Sequence, residues 1–137
     1  MSKCLLCFDS AIARLINSLN LKDPKFTNSC YVNNKRYGII SSEVEKCLVL
    51  FKRDFFMKFG DQFKDQGESG VGESINSDAL KMCFRLGIKR IFFCYEDGRV
   101  YFISPVKVAE IGHKRQTLAE SKEVYSFSVN HLINYAP

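Results

Sequence analysis

Apolar positions change rhythm several times along this chain, and each rhythm predicts an element. Leu5, Phe8, Ile12, Leu15, Ile16 and Leu19 recur at three- and four-residue intervals. That spacing lines one helix face and predicts an amphipathic helix over 3–20, ended before Asp23-Pro24. SCYVNNKRYGII then reads as a hairpin turning at Asn33-Asn34, because Asn tolerates left-handed backbone angles. Ser42 followed by Glu45 has the form of a capping box, and Val44, Cys47, Leu48, Phe51, Phe55 and Phe59 follow at helical intervals. A helix over 43–59, stopped by Gly60, is the expectation. Residues 60–74 are polar and glycine-rich and read as a flexible loop.

The second half is punctuated more sharply. Asn76 or Ser77 caps a helix, DALKMCFRL, that Gly87 ends. In IKRIFFCYEDGRVYFIS two aromatic and β-branched runs flank Asp97-Gly98, the pair that a tight type I′ hairpin requires. Ser104-Pro105 opens a short helix closed by Gly112, a polar connection follows, and Tyr125, Phe127 and Val129 alternate with serines as in a half-buried strand. A last turn, NHLINY, finishes the chain. Hairpins outnumber crossovers. The expectation is therefore a single compact α+β domain over 1–137, with a mainly antiparallel sheet built from two hairpins plus a C-terminal strand. Three main helices pack on one face of it.

Composition agrees with a folded domain: 137 residues, 46% apolar and 26% charged, with 12 Phe, 6 Tyr and no Trp, so the core is phenylalanine-rich. No apolar run approaches the roughly 18 residues that a membrane helix needs. The N-terminal apolar stretch is interrupted by Asp9 and Arg14 and lacks a small-residue cleavage site, unlike a signal peptide. A cytoplasmic protein with no membrane partner is expected. Cys4, Cys7, Cys30, Cys47, Cys83 and Cys94 read as buried free thiols in a mesophile, with one or two disulfides in a hyperthermophile; their pairing is left open.

Charge is unevenly placed. Segment 81–115 holds eight Lys/Arg against three Asp/Glu, which accounts for the whole net charge of +5. Such local asymmetry is the footprint of a polyanion-binding face.

Three catalytic patterns fail on their own residues. GESGVGES at 67–74 rhymes with a phosphate-binding loop, yet no apolar strand precedes it and Glu73 stands where the lysine belongs. No nucleotide is expected there. Cys4 and Cys7 have half a zinc-site spacing, but no second close pair exists, and His113 and His131 are isolated. Glu43 or Glu45, Asp97 and Lys107 look similar in outline to the metal-dependent PD-(D/E)xK nucleases. The pattern breaks because Pro105 replaces the acid two residues before Lys107 and the turn needs Asp97. No catalytic group, metal or cofactor is assigned, and the chain reads as a binding protein, with nuclease activity a lesser alternative.

The leading expectation is nucleic-acid binding, DNA or RNA, through the basic, aromatic-rich hairpin segment. Lys89, Arg90, Arg99, Lys107, Lys114 and Arg115 would meet phosphates, and Tyr95 and Tyr101 would stack on bases. The alternative is a homodimeric interaction or structural protein, with GRVYFI an adhesive edge strand if uncovered.

EDGRVYFISPVKV, together with the small size, the cysteines and the absence of a targeting segment, is similar to small proteins encoded by viruses of hyperthermophilic archaea. The resemblance implies residence in the host-cell cytoplasm or the virion and gives disulfides more weight. No functional residue follows from it.

Overall fold

A computed structural model describes residues 8–32, 35–52, 57–58, 71–116 and 122–135. The expected hairpin around Asp97-Gly98 is present, but Asp97 does not take the positive φ that a type I′ turn needs at both central residues. Strands β6 (Arg90–Tyr95) and β7 (Val100–Ile103) pair antiparallel, Gly98 takes φ 97°, and the Asp97 side chain accepts a hydrogen bond from the Arg99 backbone N–H. Only Gly takes that positive φ without a Cβ penalty.

Helix α1 (Phe8–Leu19) is followed by β1 (Lys25–Val32) and β2 (Lys35–Ser41), the expected hairpin. Asn33-Asn34, its predicted turn, lies outside the described residues. On β2, the Phe26 ring of β1 lies across Gly38, where a Cβ would collide with it. Glycine here lets an aromatic ring cover the backbone.

The predicted helix over 43–59 is instead strand β3 (Lys46–Lys52). Its start signal is real but has another use. Ser42 Oγ accepts from the Val44 and Glu45 N–H groups, as an N-cap would, and the Ser42 N–H then donates to the Glu45 carbonyl in a tight turn from β2 into β3. Cys47-Leu48-Val49-Leu50-Phe51 is an unbroken apolar run, and β3 is buried on both faces, so continuous apolarity outweighs helical spacing. Met57–Lys58 form a two-residue strand, β4; the remainder of 53–60 lies outside the described residues.

The predicted loop over 60–74 also needs correcting where it is described. Val71–Asn76 is strand β5, paired antiparallel with β9 (Glu123–Ser128). A Gly-and-Ser strand satisfies its backbone in the ladder and packs through Glu73 and Ile75, which share a face. Helix α2 (Ser77–Leu86) follows, capped by the Asn76 side chain accepting from the Asp78 N–H and ended by Gly87 at φ 69°. Helix α3 (Pro105–Ile111) begins at the Ser104 cap. The polar connection after Gly112 contains β8 (His113–Gln116), which pairs with β9. The predicted last turn is one 3-10 turn and a two-residue strand, β10 (Ile133–Asn134).

These strands form two sheets, one ordered β1-β2-β3-β6-β7-β10 and the other β4-β5-β9-β8. In the larger sheet every pairing is antiparallel except β3 with β6. The protein is α+β. Alternate residues of the larger sheet feed two cores. Ala11, Ile12 and Leu15 of α1 pack on Ile40, Cys47, Val49, Phe92 and Cys94. On the other face, α2, α3 and the smaller sheet meet Leu48, Ile91, Phe93, Tyr95 and Ile103. Helices thus cover both faces rather than one.

Of the cysteines with described side chains, Cys47, Cys83 and Cys94 are free and buried. Burial pushes each thiol up to about 12, so none is a thiolate near neutral pH. No disulfide joins these three. Among the described residues, no helix is long and apolar enough to cross a membrane.

Candidate functional site

The pairing of β3 with β6 organises charge at both of its ends. At the C-terminal end, Lys52 and Tyr95 are register partners. Between them and the smaller sheet lies Glu73, 2% exposed. Its Oε2 accepts from the Tyr95 hydroxyl at 2.9 Å, and its Oε1 accepts from the Ser74 N–H at 3.1 Å and meets Lys52 Nζ at 3.3 Å. A buried carboxylate is tolerable only when so surrounded. Burial, then the neighbouring Glu73 charge, raises the Tyr95 pKa, so its phenol stays protonated and donates. The residue that would spoil a phosphate loop is therefore the polar tie between the two sheets. Its glycine-rich surroundings hid that role in the sequence.

Arg99 lies at the same end. Its Nε is 2.6 Å from Asp97 Oδ2, and its guanidinium stands over the Tyr95 ring at 5.2 Å. Tyr101 packs edge-on against Tyr95, with ring centroids 6.0 Å apart.

The eight residues expected to contact nucleic acid therefore do not share one surface. Tyr95 is fully buried and cannot stack on a base. It sits on the alternation that faces the inter-sheet core, and its hydroxyl is occupied by Glu73. Tyr101 is half-buried against that core. Arg90 faces the α1 side, where Nε and Nη2 grip Glu45 at 2.6 and 2.8 Å and the guanidinium covers Phe92 and Phe102. That fork, a charge-assisted bidentate pair, holds the Glu45 carboxyl below its ordinary value. Lys107 is exposed on α3 near Glu110, Lys114 lies over Tyr125 on β8, and Arg115 is half-buried on the opposite face of that strand.

Lys89 has different neighbours. Its backbone N–H donates to the Lys46 carbonyl at 3.1 Å, one step before the Cys47–Arg90 register pair. Adjacent strands lie about 4.8 Å apart, and by alternation Lys46 and Lys89 point to the side that α2 covers. Lys81 and Arg85 are one turn apart on the exposed face of α2, and the chain goes from Arg85 through Gly87 straight to Lys89. All four cations are exposed. Among the described residues none of the four makes an ion pair. Glu43 is the exposed acid nearest in sequence to Lys46, and Asp78 sits a turn before Lys81. The spacing of Lys81, Arg85 and Lys89, four residues apart each time, was the available signal; Lys46 joins them only through strand pairing.

A cavity of about 70 Å³ between α1 and the β6–β7 turn is lined by Arg14, Ser18, Cys94, Gly98 and Tyr135 among others. It has room for a few waters, far short of a cofactor site. No cluster of three metal-ligating side chains occurs among the described residues. Glu45 and Asp97, invoked in the nuclease outline, stand at opposite ends of β6, each already holding an arginine. The chain matches no family model, no curated protein and no solved structure.

Proposed function

We propose that this protein binds a polyanion, nucleic acid foremost, on the face formed by α2 and the N-terminal ends of β3 and β6. One observation carries the reading: Lys46 and Lys89 adjoin across the β3–β6 ladder, Lys81 and Arg85 precede Lys89 at four-residue intervals, and all four are exposed and outside any ion pair among the described residues, while Lys52, Arg90 and Arg99 are each held by a carboxylate. Lys89 also feels the Glu45 carboxylate, yet exposed cations outside any ion pair are what phosphate contacts require. Lys107 and Lys114 add to the long-range field without joining the face. The homodimer alternative drew on hairpin edges and aromatic faces, with the β7 edge in GRVYFI as one candidate. That edge is covered by β10 through Ile133 and Asn134, and the Tyr135 N–H bonds the Val100 carbonyl.

Fluorescence anisotropy with labelled DNA and RNA at several salt concentrations tests the proposal. Each lost phosphate contact lowers the slope of log K against log salt by about 0.9 on duplex DNA or 0.7 on single strands. Lys81→Ala, Arg85→Ala and Lys89→Ala are each expected to produce such a loss, and Arg99→Ala none. Absence of binding at low salt, or equal effects from Arg99→Ala, would refute the reading.

A further inference from the structure

The cationic face carries an aromatic ring that electrostatics alone does not require. Phe84 is 51% exposed. Every other phenylalanine with a described side chain is buried or half-buried. Helix termination does not account for it. The cap after α2 has the Ile88 N–H donating to the Cys83 carbonyl and the Gly87 N–H to the Phe84 carbonyl. In this geometry the apolar contact of the cap falls to Ile88 and Cys83, both buried in the inter-sheet core. The ring of Phe84 is left on the outer face. It stands three residues after Lys81 and next to Arg85, within one helical patch.

We infer that the ligand is a single-stranded nucleic acid, one base of which stacks on Phe84 while its flanking phosphates meet Lys81 and Arg85. The strand continues over the helix end toward Lys89 and Lys46. This rests on the polyanion reading and narrows it. Inside a duplex each base already has neighbours on both faces, so a phenyl ring set among cations on a helix would meet only sugar and phosphate. An unpaired strand offers both partners: a free π-face for the ring and phosphates at a separation comparable to the about 6 Å between helix positions i and i+4. A polyanion without bases has nothing for Phe84 to touch.

The chain has six tyrosines but no tryptophan, so Phe84→Trp introduces a single indole, excitable apart from the tyrosines, at the proposed contact. Wild type, Phe84→Ala and Phe84→Trp would be titrated with a mixed-sequence single strand, the corresponding duplex, and inorganic polyphosphate. Expected are tighter binding to the single strand than to the duplex, and an affinity loss of about tenfold for Phe84→Ala on the single strand only. The Trp variant should retain affinity and show emission quenched on saturation with the single strand, with no change on polyphosphate. Normal binding of all three ligands by Phe84→Ala, or unquenched emission at saturation, overturns this inference while leaving the polyanion reading standing. Failure of wild type to bind any of them overturns both.

Discussion

The two ends of the β3–β6 pair treat positive charge in opposite ways. At the C-terminal end, Lys52 meets Glu73 and Arg99 meets Asp97, with Tyr95 completing the network. At the N-terminal end, Lys46, Lys81, Arg85 and Lys89 stand in solvent, and the nearby Glu45 is taken by Arg90 on the other face of the sheet. One end engages its cations, Lys52 across the two sheets and Arg99 within the β6–β7 turn; the other leaves them available. Counting Lys and Arg in 81–115 cannot separate the two uses. What separates them is which carboxylate the fold delivers to each cation.

The largest effect is expected where the network is buried. Lys52→Met leaves the Glu73 carboxylate in the core without its cation, a loss of about 3–5 kcal/mol, read as a lower urea midpoint. Replacing the trio together, with Lys52→Met, Glu73→Leu and Tyr95→Phe, is expected to recover most of that loss, since apolar packing can substitute for a buried pair. No recovery would mean that the site needs its charges for more than fastening.

A smaller, pH-dependent effect belongs to the Arg90–Glu45 fork. The folded-state pKa of Glu45 lies below the unfolded value, so this contribution is fully present above about 4.5 and is lost as pH falls through the depressed folded value. Arg90→Met should therefore lower stability at neutral pH and flatten the acid limb of the stability profile. An unchanged acid limb would show that Glu45 contributes little to it.

The smallest effect on stability is expected at the exposed end. Lys81→Ala and Lys89→Ala should shift the urea midpoint by no more than about 0.5 kcal/mol in stability. A large loss there would erase the contrast between the two ends, because the lysine stems would then be packing against the core.

Much of the fold was legible where local chemistry allows one answer. Gly98 in the turn between aromatic runs and Gly87 after α2 take a positive φ that few other residues would adopt, and Asn76 caps α2 through its side chain. Strand β3 was misread because its apolar residues satisfy a helical and an extended spacing equally, and only the two cores on either side of it decide. Strand β5 was missed because Gly72 and Ser74 carry no strand signal of their own; pairing with β9 and the buried Glu73 supply one. The candidate site was legible only as a charge excess. Tyr95 and Arg99 were grouped with Lys89 by proximity in sequence, yet a six-residue strand places them at the far end of the sheet from it.

The parallel contact also has a kinetic consequence. Cys47–Lys52 must wait for Arg90–Tyr95, about forty positions later in the chain, before that edge of β3 is closed. Non-local pairing of this kind is slow because the intervening chain must be ordered first. During synthesis the hairpin of β1 and β2 can form early, leaving β3 with apolar faces and a bare ladder of N–H and C=O groups until β6 emerges. An apolar strand whose ladder is unpaired is prone to join another chain, so the delay between β3 and β6 sets how long that edge stays open.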